Sequence, residues 1–451
     1  MIKKIILPLL YAQCLFSFQI SASIKEEKKS ESETPVSLEE LFGAKLITEQ
    51  RPWRAPDYSG QSKALGYGTE TSPFVTPKGL ESNVQFWIDV YSKYSTSEGV
   101  IHDSENIDLV YEVVDFSEIE KDINLNTFQK EKAKQKKVDF IKKDIVAMLK
   151  KFETVKSVVE LSDKEKKIWK YFEKVDEPNK FHEAAQKNRM RFQLGQKDRM
   201  QKAIFLSGRY IEEMEDVFTK QNLPKELVRL VFVESSFNIL ARSKVGASGL
   251  WQIMPYSARP YRMIQSAVDK RNHPLEATRF AAKMLASNYR MLESWPLAAT
   301  GYNHGPTGVR KMTQKYKTRD LGELVQNVRS RKSFGFASRN FYATFLAALE
   351  VEKNAKKYFQ NVWWSKKLPS EDLKIPVSVG YNDLLGWFDE DDQKVQVFNP
   401  HLTLKARQKK VSIPAGTVLH VPQKSYDQIL ISLTKKSRGV AAAETQKKSK
   451  K

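Results

Sequence analysis

Apolar residues crowd most of the surface that a helix would have over residues 224–233, Pro-Lys-Glu-Leu-Val-Arg-Leu-Val-Phe-Val. The pattern predicts a mostly buried helix with proline in its first turn. Residues 128–152 read differently, alternating lysine pairs with Phe140, Ile141, Ile145, Met148 and Leu149, which predicts an amphipathic helix with a basic, solvated face. Helices are also expected over 164–171 and 200–220, and residues 84–94 and 109–116 hold enough apolar and aromatic side chains to be ordered. After residue 359 the helical period breaks at Trp363-Trp364, Pro369 and Pro376. Short β-branched runs follow, ending in Ile413-Pro414-Ala415-Gly416-Thr417-Val418-Leu419-His420-Val421-Pro422.

The chain's ends differ in kind from its middle. Residues 1–23 begin with Lys3 and Lys4, stay apolar from Ile5 to Phe18 and close on Ser21-Ala22-Ser23, the layout of a secretory signal peptide too short to span a membrane. The one cysteine, Cys14, lies inside that run and follows Gln13 rather than the small residue a lipidation site needs. Cleavage near Ser23 would leave no thiol and hence no disulfide, as suits an exported protein large enough to rely on its core. Residues 24–37, rich in Lys, Glu and Ser, read as an unstructured leader, and 435–451 as a basic unstructured tail. Between them the expected order is a mostly helical region over 38–197, a central domain over 198–359 and a small α+β module over 373–422.

A net charge of +21 over 451 residues raises the question of an anionic partner. The cations are interleaved with acids along the whole chain and no zinc spacing or nucleic-acid module accompanies them, which argues against nucleic acid. Anionic polymers of a bacterial envelope fit better, held by long-range attraction that weakens with salt. No cofactor and no metal site are expected. The six histidines are scattered, and Asp389-Glu390-Asp391-Asp392 lacks the glycine and terminal glutamate of a calcium loop.

Candidate chemistry gathers just after the buried run. Glu234 stands at its end, where partial desolvation disfavours the ionised carboxylate and raises its pKa towards that of a useful general acid. Gly246, Gly249, Ser243, Ala247 and Ser248 let backbone come close to a ligand. Trp251, Gln252 and Met254 offer a stacking face, an amide and a soft apolar contact. The spacing Glu-Ser-x-Phe-Asn, then Ser243, then Gly-Ala-x-Gly-Leu-x-Gln-x-Met-Pro resembles the signature of the lytic transglycosylases with a goose-type lysozyme fold, in particular their membrane-bound D-type branch. Two further segments support the resemblance. Ala298-Ala299-Thr300-Gly301-Tyr302-Asn303-His304-Gly305-Pro306 is similar to the family's Ala-Tyr-Asn-x-Gly-Pro motif, and Gly335-Phe336-Ala337-Ser338-Arg339-Asn340-Phe341-Tyr342 lies where the family has Arg-Asn-Tyr. Asn399-Pro400 with the run 413–422 resembles the second half of a LysM glycan-binding module, with 381–388 as its first helix.

The resemblance implies a mainly α fold: a lysozyme-like catalytic domain, a helical N-terminal extension and a LysM-like C-terminal module. It implies cleavage of peptidoglycan between N-acetylmuramic acid and N-acetylglucosamine by Glu234 acting as acid and then as base, giving 1,6-anhydromuramyl ends without consuming water. It gives Ser243 a hydrogen bond to the catalytic carboxyl, Gln252 and Met254 places in the cleft wall, and Tyr302 and Asn303 contact with the muramyl acetamido group. It also implies a periplasmic or envelope location. The chain departs from the family pattern at Ile239 and Gly301, and by carrying Tyr342 one position beyond the third motif's usual tyrosine, where Phe341 stands. A one-residue shift turns a helical side chain by about 100°, so Tyr342 is the weakest of the cleft assignments. Two other functions share the same residues: a lysozyme-type hydrolase with Asp269 or Glu276 as second acid, and a non-catalytic murein-binding protein.

Overall fold

A computed structural model describes residues 50–58, 72–328 and 334–448; the expected signal peptide and leader lie outside them. The described chain is mainly helical with three small sheets, each antiparallel, in which β1 (Gln50–Pro52) pairs with β5 (Trp363–Ser365). The next two strands in chain order, β2 (Glu98–Asp103) and β3 (Val110–Asp115), join β4 (Met190–Leu194) in the order β3-β2-β4. The last pair is β6 (Ser370–Lys374) and β7 (Val418–Pro422).

The N-terminal region is mainly helical, as expected, but it also carries this three-stranded sheet, which the sequence pattern did not announce. In β2 every residue after Glu98 is buried, and in β3 the buried Tyr111 and Val114 lie between exposed or half-buried neighbours, so these β-branched runs are covered by packing rather than set on a helix face. The helix Thr127–Phe152 lies beside this sheet, capped by a reciprocal Asn126–Gln129 box and buried through Val138, Ile145, Leu149 and Phe152. Phe140 points to solvent instead.

The central core does not begin at residue 198. Trp53, Phe74, Leu80, Trp87 and Tyr91 belong to the same apolar cluster as Leu230, Trp251 and Phe345. The helix Glu81–Ser92 is held there by polar bonds as well, since Asn83 and the Trp87 indole both donate to Asn340 Oδ1, at 2.9 and 3.1 Å. Around this core run the helices Lys197–Ser207, Ile211–Thr219, Pro274–Leu292, Trp295–His304 and Phe336–Lys353.

In the C-terminal module, β6 and β7 enclose the helices Tyr381–Trp387, Asp392–Phe398 and Leu404–Arg407 over a separate apolar cluster. The tail expected to be unstructured from 435 continues the helix Tyr426–Lys448. Its Ala441-Ala442-Ala443-Glu444 run and its lysines are strong helix formers, so helix can persist where few large apolar residues remain. Among the described residues no helix is long and apolar enough to cross a membrane.

Candidate active site

The buried run forms as a 3-10 turn, Lys225–Arg229, that passes into the helix Leu230–Ser235. Five residues before Glu234, Arg229 fixes that helix from within. Its Nε and Nη2 donate to Glu352 at 2.9 and 3.0 Å, and Nη1 reaches Glu215. Ser236 and Phe237, with φ of 51° and 55°, then turn the chain sharply away. Two consecutive left-handed non-glycine residues store backbone strain of about 1–3 kcal/mol each, which places the helix end under constraint directly beside the carboxyl.

Glu234 is 3% exposed. Burial pushes its carboxyl well above the usual carboxylate range, and no charge or hydrogen bond opposes that shift. The Tyr91 phenol, buried on the helix Glu81–Ser92, is raised first by its own burial and then by the charge of Glu234. That link crosses more than a hundred residues of sequence, and no local pattern around Tyr91 announces it.

The turn that follows is a small ladder. Ser248 bridges both Arg242 and Ile253, Gly249 N–H donates to Ala241 O at 2.9 Å, and Gly246 and Gly249 have φ of 88° and 78°. A Cβ at Gly249 would lie 2.0 Å from Arg271 O, so the close approach there requires glycine. Arg271 grips the turn from behind, donating to Gly246 O at 2.7 Å and Ile253 O at 3.0 Å, while Asn272 accepts from Ser248 Oγ at 2.7 Å.

The residues singled out by the resemblance are distributed over this frame. Ser243 is half-buried and its Oγ accepts from Ala247 N–H at 2.9 Å; among the described hydrogen bonds it makes none to Glu234. Gln252 sits at φ 44° and its amide donates to Ala241 O and Gly249 O at 3.0 and 2.9 Å, so it holds the turn closed. Met254 is half-buried at the start of the helix Pro255–Ala258. Tyr302 donates its hydroxyl to Trp251 O at 2.8 Å, tying the helix Trp295–His304 to the same turn. Asn303 Oδ1 accepts from Ser338 Oγ at 2.9 Å, and Ser338 also meets His304 Nδ1 at 3.2 Å. Ser338 was present in the third motif without being picked out, because a serine inside an apolar helix carries no signal of its own.

Two expectations are corrected. Trp251 offers no stacking face: it is wholly buried, stacked on Phe218 and hydrogen-bonded to Thr278. Tyr342 is also wholly buried, and its hydroxyl donates to Val75 O at 3.2 Å, so the one-residue shift turns it into the core. Neither candidate second acid is available either. Asp269 is buried in a paired bond with Arg271 at 3.0 and 2.7 Å, and Glu276 is engaged by Arg279 and Lys270. Among the described residues no group of three or more His, Cys, Asp or Glu is arranged to hold a metal ion.

Residues 214–324 match the family described as "Transglycosylase SLT domain". Glu234, Ser243, Gln252, Met254, Tyr302 and Asn303 all fall inside that span, and Tyr342 falls outside it. The chain is 30% identical over 141 residues to "Membrane-bound lytic murein transglycosylase D" of Escherichia coli strain K12, a match that takes in 31% of this chain and 30% of that protein. It is 31% identical over 102 residues to a "Putative tributyltin chloride resistance protein" of Alteromonas sp. strain M-1, covering 22% of this chain and 49% of that one. The chain thus aligns with less than a third of the first relative's length and about half of the second's. The soluble lytic transglycosylase SLT70 of Escherichia coli superposes with a TM-score of 0.27 at 20% identity, over 32% of this chain and 24% of that one.

Proposed function

We propose, from the premise that residues 214–324 are a transglycosylase SLT domain, that the protein is a lytic transglycosylase acting on peptidoglycan. Glu234 protonates the glycosidic oxygen between N-acetylmuramic acid and N-acetylglucosamine while the substrate's acetamido group supports the developing cation. The carboxylate left behind then removes the proton of the muramyl C6 hydroxyl, whose oxygen closes on C1. One proton is given and one taken, no water is consumed, and the product ends in a 1,6-anhydromuramyl residue.

The observation that carries this reading is the burial of Glu234 with nothing to oppose its raised pKa, which suits one group serving in turn as acid and base. A hydrolase would need a second carboxyl to act as base or nucleophile, and both nearby candidates are bound to cations. Ser243, whose Oγ accepts from Ala247 N–H in the free chain, turns its hydroxyl proton to the carboxyl once substrate is bound, Gln252 and Met254 form the cleft wall, and Tyr302 and Asn303 receive the acetamido group. The C-terminal module acts as a LysM-like glycan-binding unit, and the net positive charge keeps the enzyme near anionic polymers of the bacterial envelope.

Mass spectrometry of fragments released from purified peptidoglycan tests the reading, with Glu234→Gln run beside the wild type. Anhydromuramyl ends from the wild type alone are expected. Reducing ends would mean a hydrolase, and no release by the wild type would leave a binding protein.

A further inference from the structure

Three histidines from distant parts of the sequence meet where the C-terminal module lies on the central domain. His273 caps the helix Pro274–Leu292, His401 follows the helix Asp392–Phe398, and His420 lies in β7. The His273 ring centroid is 4.8 Å from that of His401 and 4.8 Å from that of His420, and the latter two are 6.4 Å apart. Their other bonds assign the tautomers. His273 Nδ1 accepts from Glu276 N–H at 3.4 Å, so its Nε2 carries the proton. His401 Nε2 donates to Val418 O at 3.2 Å and His420 Nδ1 donates to Asp372 at 2.6 Å, which leaves lone pairs on His401 Nδ1 and His420 Nε2. His273 Nε2 and His401 Nδ1 are both buried without a hydrogen-bond partner among the described residues. The neutral cluster thus holds one N–H beside two lone pairs, and a proton added to His401 would be a buried cation with nothing to receive it.

The cluster sits in a seam that reaches the active-site turn. Asp269 N–H donates to His401 O at 2.7 Å, Thr403 N–H to Ala267 O at 3.0 Å, and the Thr403 hydroxyl to Ser266 O at 2.6 Å. Val268 bridges Leu402, and Ala267 and Val268 are buried within the module's own apolar cluster. The same stretch continues into Arg271 and Asn272, which grip the turn of residues 246–253.

We propose that His273, His401 and His420 form a protonation-sensitive latch that seats the C-terminal module on residues 266–273 and so holds the active-site turn in shape. The charges facing the cluster are Lys270 and Arg279, which oppose a further proton, and Asp372, which favours one on His401; Glu276 is engaged by Lys270 and Arg279. Burial, then the neighbouring His420, holds His401 down to about 3, and burial with both partner rings holds His273 well below its usual value. Undocked, these rings take protons below about pH 6.5 that they refuse when docked, so docking is complete above that pH and weakens as the pH falls. From pH 7.5 to pH 5 each excluded proton weakens docking by about 30-fold. This latch does not depend on which glycan bond is cut.

Hydrogen exchange of the full chain, read by mass spectrometry at pH 7.5 and pH 5 and corrected for intrinsic rates, tests it without an activity assay. Residues 266–273, 401–403 and 246–253 should lose protection together at pH 5, by at least about tenfold, while the helix Phe336–Lys353 keeps its own. Unchanged protection at pH 5 overturns the latch. So does the same loss in the doubly substituted His273→Gln, His401→Gln protein, which has no such proton to exclude. Protection that rises with added zinc and falls with a chelator would overturn it in favour of a metal seat. If the double variant is undocked at every pH, histidine ring NMR of the wild type decides. Titration of His273 and His401 far below 6.5, or only together with seam opening, supports the latch, and independent titration near 6.5 with the seam intact refutes it.

Discussion

Glu234 and Glu352 are buried to nearly the same depth in the same core, at 3% and 0% exposure, and differ in what meets them there. Burial raises the pKa of Glu352, Arg229 pulls it part of the way back through two hydrogen bonds, and Glu352 in turn keeps Arg229 charged against its own desolvation. Glu234, on the segment that Arg229 anchors, meets desolvation alone. A paired buried carboxylate is structural and inert; an unpaired one holds a proton it can give away. The clamp fixes the helix whose last turn carries Glu234.

That contrast can be broken from either side. Glu234→Gln should cut turnover by at least roughly 100- to 10,000-fold, measured by fragment release, while murein binding and the fold persist. Arg229→Ala leaves Glu352 buried and unpaired and should cost about 3–5 kcal/mol in denaturant unfolding. Gly249→Ala, which combines the collision with Arg271 O and a positive φ, should destabilise by more than about 1 kcal/mol and lower kcat by distorting the turn.

A subtler prediction concerns pH. Since folding raises the Glu234 pKa, the native chain keeps a proton that the unfolded chain releases. Its burial penalty is absent below about pH 4 and grows as the pH rises towards the raised value. The Tm of Glu234→Gln should therefore equal that of the wild type near pH 4 and exceed it at pH 7. Smallest of all, Tyr302→Phe removes one hydrogen bond to Trp251 O, for a loss of about 1 kcal/mol and a several-fold drop in kcat.

Much of the site was legible because its signal is local. The apolar run 224–233, the carboxyl at its end and the glycines that permit the turn lie in one stretch of sequence. What escaped is long-range. Tyr91, Ser338, the Arg229–Glu352 clamp and the histidine seam each join residues far apart in the chain, and neither periodicity nor spacing encodes such a meeting. Trp251 and Tyr342 misled because a large aromatic ring in a motif reads alike whether it faces a ligand or a core. The helix Tyr381–Trp387 falls within the 381–388 helix expected, whereas the β3-β2-β4 sheet was missed because short strands buried by the helix Thr127–Phe152 lose the alternation that marks a half-exposed strand.

Carbon-13 NMR titration of the Glu234 carboxyl, assigned by its absence in Glu234→Gln, sets the two glutamates apart by experiment. The account predicts that Glu234 still carries its proton at pH values where ordinary carboxylates are fully ionised, and that the alkaline limb of kcat/KM follows the same titration. A Glu234 midpoint near 4 would contradict it, since an acid already ionised at neutral pH has no proton to give the glycosidic oxygen.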